Sequence, residues 1–474
     1  MNASGLPEGR CDVLVAGGGL AGLATAWNLR SSGFRVGVLE AKDRVGGRLL
    51  LQTASGGVTV DGGGSWVGPL HTEVIRLVDQ FGLHLVPQYS DGQNLLRLNG
   101  RTMRYRGDIP RLNPVALIDI GRAMRALDRM ARRLGPPPWR QSVTARLDSQ
   151  TAGSWMDRHV RTAAGRLVLT VAVAASFCCR PDELSLMAFL AHVGGAGGLS
   201  SLIAVTDGAL AYRIAEGAAS LPGRLAEALA PSVRLKSPVA RIERGGGHVT
   251  VHTASGAAYR ARRMVLALDP RTAARISHEP PLPVSRLQLQ EHYQLGSGIK
   301  AHVSYDRPWW REAGFSGSAV SDTGTTRLTF DVSPPARDRD QTPGVLLALM
   351  GLAAIDDPEI MAPHAAGERR ERVLADLASF FGPQARNPAG YIEQDWSQEP
   401  WQSGCLPRLQ PGVLSRYHDW LTKPVGPLHW AGTETSHAWE GHMEGAVRSG
   451  IRAAAEVAAG LTEPHDSTAP ADAP

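Results

Sequence analysis

Cysteine is scarce in this chain: four among 474 residues, two of them adjacent (Cys178 and Cys179). So few thiols exclude a disulfide scaffold and suit a reducing compartment. No run of about 18 apolar residues occurs, the length a transmembrane helix needs. Met1 to Arg10 lacks the apolar stretch of a secretory leader. Neither charge sign dominates. The net charge is +5 and the pI about 9.2, with arginines spread along the chain. The densest basic run is Arg122, Arg125, Arg129, Arg132 and Arg133. It falls at helical spacing, with Leu117, Ile120, Met124, Leu127 and Leu134 on the opposite face. That is a solvated stripe on an amphipathic helix. The expectation is a cytoplasmic protein with no membrane anchor and no nucleic-acid partner; nothing in the sequence excludes a homodimer. No metal-ligand cluster is expected.

What is present is globular: 43% of residues are hydrophobic and 20% charged, over a length that supports two sizeable cores. The informative stretch runs from Asp12 to Arg48. It reads as a buried strand (Val13 to Ala16), a glycine turn, a helix (Leu20 to Ser31) and a second strand (Val36 to Leu39) ending on Glu40. Gly17, Gly19 and Gly22 hold the three glycine places of a dinucleotide fingerprint: tight turn, pyrophosphate approach, and close helix–strand packing. Free amides at the helix start favour phosphate. Glu40 stands where a carboxylate reaches an adenosine ribose. Two more glycine turns follow, Gly46-Gly47-Arg48 and Gly62-Gly63-Gly64-Ser65-Trp66. A nicotinamide fold does not need them; the long body of FAD does. Arg48 is a candidate for neutralising the pyrophosphate.

Further along, Thr72 to Phe81 reads as a helix, and Arg97 to Tyr105 as a hairpin about Asn99-Gly100. Pro114 opens the amphipathic helix, and Gly135 to Pro138 ends it. Helical pattern from Gly153 to about Val193 suggests a cap. Leu221 to Leu229 reads as a helix and Met264 to Leu268 as a strand. Tyr293 to Tyr305 and Gly344 to Leu352 are strand-rich. Pro427 to Trp430, a glycine turn at Gly432, and a helix from Met443 to Ala459 close the pattern. Leu461 to Pro474 reads as a loose tail.

Five motifs together resemble the flavin-containing monoamine oxidases, over about residues 11 to 459. They are Glu40 to Arg48, Asp61 to Pro69, Leu295 to Lys300, Asp395-Trp396 with Gly404-Cys405, and Ala431 to Thr435 with Trp439 and Met443 to Ala446. The resemblance implies an α/β fold. A discontinuous Rossmann-type FAD-binding domain (8–82, 213–285, 425–460) would carry a mixed-sheet substrate domain with a helical cap (83–212, 286–424), before a tail at 461–474. It implies an amine oxidised to an imine, hydride passing to flavin N5, and O2 reduced to hydrogen peroxide. On this reading Gly63, Gly64, Ser65, Trp66, Val239, Trp396, Gly432, Thr433, Glu434 and Met443 contact FAD. Lys300 aids the reaction with oxygen, and Cys405 occupies the place of a thioether to the flavin. The family's two aromatic rings over the flavin fall here on Leu406 and His442, so the cage is missing and His442 becomes a candidate base. A position often held by glutamine falls on Leu210. Cys178 and Cys179 are expected to be core packing. An amino-acid oxidase or desaturase is the alternative enzyme, though Leu70-His71 stands where its carboxylate-binding arginine is wanted. A non-catalytic flavin-binding scaffold is the alternative from another class.

Overall fold

The computed structural model describes residues 11–54, 57–107, 112–137, 139, 141–335, 342–350, 362–402 and 404–462. The expected leader-free start at Met1 to Arg10, the strand end at Leu352 and the tail beyond Thr462 lie outside these residues. Strand β1 (Cys11–Ala16) is buried at nearly every position and runs parallel to β2 (Val36–Leu39) on one side and to Ala258–Ala267 on the other. Helix α1 (Leu20–Ser31) crosses between β1 and β2. The close fit at its start depends on Gly22, where a Cβ would meet the Gly17 carbonyl oxygen at 2.0 Å. Asp12 fixes the entry to β2 by accepting from the Arg35 amide (2.9 Å).

The sheet built on β1 has eight strands. Seven run in the order 233–234, β2, β1, 258–267, 248–253, 239–245, 277–279, and Leu428–Ala431 joins the parallel edge of 258–267. One sheet therefore gathers strands from three distant parts of the chain. The last helix, Met443–Thr462, then lies on α1, with Gly450 against the backbone of Ala21 and Thr25.

A second, seven-stranded sheet runs 390–395, 299–305, 344–350, 328–331, 315–321, 93–98, 101–105. Its outer hairpin turns on Asn99 (φ 50°) and Gly100 (φ 74°), the doubly left-handed geometry that Asn-Gly favours. Helices Pro114–Leu134, Ala163–Phe177 and Leu186–Gly195 share a separate apolar core above the two sheets. Asn113 caps the first of them by accepting from the Ala116 amide, and Pro114 sits at its first position.

The stretch 153–193 is helical as expected, in three helices separated at 160–162 and from Cys178 to Ser185. Two expectations need correction. Residues 293–298 are not strand; the strand is Ile299–Tyr305, because Gly296 and Ser297 bond to loop carbonyls of Leu406 and Cys178 instead of a ladder. The final helix continues to Thr462, through the first residues assigned to the tail.

Candidate active site

A cavity of about 970 Å³ runs from the carboxyl end of β1 to the second sheet and the cap. It begins at the start of α1, where Gly19 stands as N-cap, no side chain caps the helix, and no acid occupies the first turn. The free amides there are a seat for phosphate. Gly19 and Gly47 face each other so closely that a Cβ on Gly47 would sit 3.3 Å from the Gly19 Cα. Glu40, buried beside them, accepts from the amides of Gly18 (2.6 Å) and Lys42 (2.8 Å).

Gly17, Gly19, Glu40, Arg48, Gly63, Gly64, Ser65, Trp66, Val239, Lys300, Trp396, Cys405, Gly432, Thr433, Glu434, His442 and Met443 all line this one cavity. Of the expected site residues, Gly22 alone does not; it is buried where α1 meets β1. Arg48 is not a free cation awaiting phosphate. Its guanidinium pairs with Glu434 (2.5 Å) and donates to the Cys405 carbonyl (2.8 Å). Glu434 Oε2 is buried with no protein donor. Trp396 Nε1 donates to the Gly62 carbonyl at 2.9 Å, locking the third glycine turn.

Lys300 projects from the strand Ile299–Tyr305 toward that turn. Its ammonium donates to the Gly63 carbonyl and to Ser65 Oγ (3.0 Å), and lies 5.2 Å from the Trp66 ring centroid. Burial lowers its pKa, opposed by the negative charge of Asp61. Burial in turn raises Asp61 to about 6, against an amide bond from Ala218 and the charge of Lys300.

The other half of the cavity is walled by apolar side chains, among them Leu96, Ile120, Met124, Val171, Leu210, Leu328, Phe330 and Leu406. His442 also lines the cavity. Its Nδ1 is 2.9 Å from the Glu440 carbonyl, so Nδ1 carries the proton and Nε2 the lone pair of the neutral ring. Burial lowers its pKa and favours that neutral form. Behind it stand the rings of Trp439 (5.3 Å), His71 (5.6 Å) and His192 (5.7 Å). Burial drives both of those histidines down to about 3.

Residues 20–458 match the model of the flavin containing amine oxidoreductases. The chain belongs to this family.

Its relatives agree. AofH of Mycobacterium tuberculosis, grouped by name with the flavin-containing monoamine oxidases, is 38% identical over 457 residues, 96% of this chain and 98% of that protein. Amine oxidase [flavin-containing] B of Sus scrofa is 32% identical over 452 residues, 94% of this chain and 86% of that protein. Among solved structures, putrescine oxidase bound to putrescine superposes with a TM-score of 0.89 at 32% identity, covering 95% of this chain and 99% of that one. Cyclohexylamine oxidase from Brevibacterium oxydans gives 0.88 at 32%, covering 96% and 100%. As a family member the chain is an FAD-dependent oxidoreductase acting on amines. The cavity fits that cofactor by the open helix start, the glycine cradle and the unsatisfied Glu434 oxygen.

Sequence reasoning missed several residues of this amine oxidase's site. Asp269 and Thr272 line the nucleotide half and satisfy one another, with Asp269 accepting from the Thr272 amide (2.9 Å) and hydroxyl (2.6 Å). His192 is brought to His442 by a separate element and no motif marks it, while His71, which follows the Asp61 to Pro69 motif, stands beside the same ring. Cys178 is the clearest miss. Cys179 packs in the cap core as expected, but Cys178 lines the cavity.

Proposed function

We propose that this amine oxidase acts on a monoamine with an apolar body, drawn into the apolar half of the cavity with its nitrogen toward Lys300 and His442. The observation that carries this is the state of the acids. Among the described residues, the carboxylates lining the cavity are those of Glu40, Asp269 and Glu434, and each is engaged: with backbone amides, with Thr272, and with Arg48. None stands among the apolar wall residues to receive a second ammonium, and an unpaired buried charge is costly. A carboxylate on the substrate is equally unprovided for among the described residues, since the arginines lining the cavity there, Arg48 and Arg275, belong to the nucleotide side.

Gly17, Gly19, Glu40, Val239, Gly432, Thr433 and Met443 would hold FAD, with Glu434 Oε2 accepting from it. The chemistry supplied by bound FAD is acceptance of the hydride equivalent from the amine carbon and its passage to dioxygen. Lys300 holds positive charge where negative charge develops on reduction. The neutral His442 ring offers Nε2 as acceptor for an amine N–H, which keeps the nitrogen lone pair available.

Strand membership supports dividing the chain into an FAD domain (8–82, 213–285, 425–460) and a substrate domain with cap (83–212, 286–424). Four free cysteines support a cytoplasmic site of action, and no helix among the described residues is long and apolar enough to cross a membrane. Whether Cys405 bonds the flavin is decided by acid precipitation, which keeps the yellow colour in the pellet if it does. The deciding experiment for substrate is anaerobic flavin bleaching with matched phenylalkylamines and diaminoalkanes. Bleaching by the former and not the latter is expected; the reverse order would overturn the reading.

A further inference from the structure

Cys178 and Cys405 lie far apart in sequence and meet at one glycine. Cys178 ends the helix Ala163–Phe177 in a left-handed conformation (φ 47°, ψ 43°), a region non-glycine residues seldom enter. The turn releases its side chain from the helix and brings it into the cavity wall that also holds Cys405. The segment 296–298 ties the two together. Ser297 donates to the Cys178 carbonyl (3.2 Å), and Cys405 donates to the Gly296 carbonyl (2.9 Å). At Gly298 both sulfurs converge: its amide donates to the Cys405 sulfur, and a Cβ there would lie 3.3 Å from Cys178 Sγ. The two thiols bias one another's ionisation, Cys405 being lowered and Cys178 raised by its neighbour.

We propose that Cys178 and Cys405 form a dithiol that hydrogen peroxide closes to a disulfide in the cavity wall. The two sulfurs are unequal, as such a reaction requires. The neighbouring Cys178 and the charges of Lys300 and Arg48 lower the Cys405 pKa against its burial, while Cys178 is raised by Cys405 and by burial. Cys405 is thus the nucleophile and Cys178 the resolving thiol. The Cys405 thiolate attacks one peroxide oxygen; the O–O bond breaks, hydroxide leaves and takes a proton, and a sulfenic acid remains. Cys178 sulfur then attacks the Cys405 sulfur; the S–O bond breaks, the S–S bond forms, and a second water leaves with the Cys178 proton. Two thiols give up two electrons and peroxide accepts them. The amine oxidase reaction releases that peroxide into the same cavity, so the physiological source rests on the functional reading while the chemistry does not. Disulfide and flavin thioether are mutually exclusive uses of the Cys405 sulfur.

The test uses the full purified chain, reduced, desalted, treated with added hydrogen peroxide, denatured, alkylated and digested for mass spectrometry. The expected product is a crosslinked peptide pair carrying Cys178 and Cys405, lighter than the reduced pair by two hydrogens, reverting with reductant. Cys11 should remain alkylated. Cys179→Ser should keep the crosslink and Cys178→Ser abolish it. In Cys178→Ser, dimedone should trap Cys405 sulfenic acid at least several-fold more than in the unaltered chain. Full alkylation of both cysteines after peroxide, a crosslink through Cys179, or flavin found on Cys405 would each overturn the proposal. Because peroxide is added, a chain that oxidises no amine tested still gives a clear answer.

Discussion

The buried ammonium of Lys300 is held by a carbonyl, a hydroxyl and the face of Trp66. Such a group matters most where charge changes during turnover. Lys300→Met is expected to slow flavin reoxidation by roughly 100-fold, the scale of losing one preorganised electrostatic contact, while FAD stays bound. Stopped-flow traces with unchanged reoxidation would remove Lys300 from the oxygen step. Glu440 carries a different consequence. Burial and the charge of Glu434 push its carboxyl up to about 8, opposed by the Tyr293 hydroxyl, which donates to it at 3.4 Å. A carboxyl raised above its unfolded value, about 4.3, keeps a proton in the folded chain that the unfolded chain has released. Stability therefore falls as pH rises through that window, by up to about 1.4 kcal/mol per pH unit. Glu440→Gln has no such proton, and urea unfolding between about pH 5 and 8 should show a flatter profile for it. Equal slopes would place the titration elsewhere. Lys300 was legible in the sequence because a motif surrounds it. Glu440 and Cys178 were not, since burial and a partner far off in sequence, Tyr293 for the one and Cys405 for the other, make their chemistry.

Among elements, α1 carries the most constraint, because one end faces phosphate and its flank carries the final helix. Gly450 makes that second contact possible: a Cβ would lie 2.6 Å from the Ala21 carbonyl oxygen and 2.9 Å from the Thr25 amide nitrogen. Gly450→Val should cost about 1–3 kcal/mol by overpacking, and it should weaken FAD binding as well by shifting α1. Parallel urea and flavin-titration curves measure both; a stable variant with weakened FAD would show that α1 moves without the sheet. In the unit β1–α1–β2 the helix and second strand were readable to the residue and the first strand begins two residues earlier than Val13, since periodicity, glycine spacing and a terminal acid all agree. Residues 293–298 read falsely as strand. Tyr293 and Leu295 alternate with polar or small residues as in a strand, but the groups that decide the hydrogen bonds here, the carbonyls of Cys178 and Leu406, come from distant loops. The cap was readable as helical without its breaks being placed: the second begins at Cys178, a left-handed residue, and Pro181 alone marks it in the sequence.

At the scale of the molecule, one cavity spans both sheets and the cap, so selectivity is set far from the nucleotide. The apolar half ends on the helix Pro114–Leu134, whose Ile120 and Met124 face inward while Arg122 and Arg125 are exposed. A diaminoalkane entering with one nitrogen at Lys300 leaves its second ammonium among these aliphatic groups, desolvated and unpaired. A phenylalkylamine of equal length meets the same wall with no polar group to desolvate. The ratio of kcat/KM for the diamine to that for the phenylalkylamine should accordingly be small, and one carboxylate should raise it. Ile120→Glu places an acid at a half-buried lining position on a helix already anchored by Leu127 and Ala131 in the cap core. Gaining one ammonium–carboxylate contact worth about 1.4 kcal/mol would raise the ratio roughly tenfold. Arg122→Glu puts the same charge on the outer face of the same helix and should leave the ratio unchanged, which separates a contact inside the cavity from a general change in surface field. Peroxide release with both amines, measured on the two variants and the unaltered chain, reads the effect. An unaltered chain that already prefers the diamine, or equal shifts in both variants, would mean that the second ammonium does not lie against this helix.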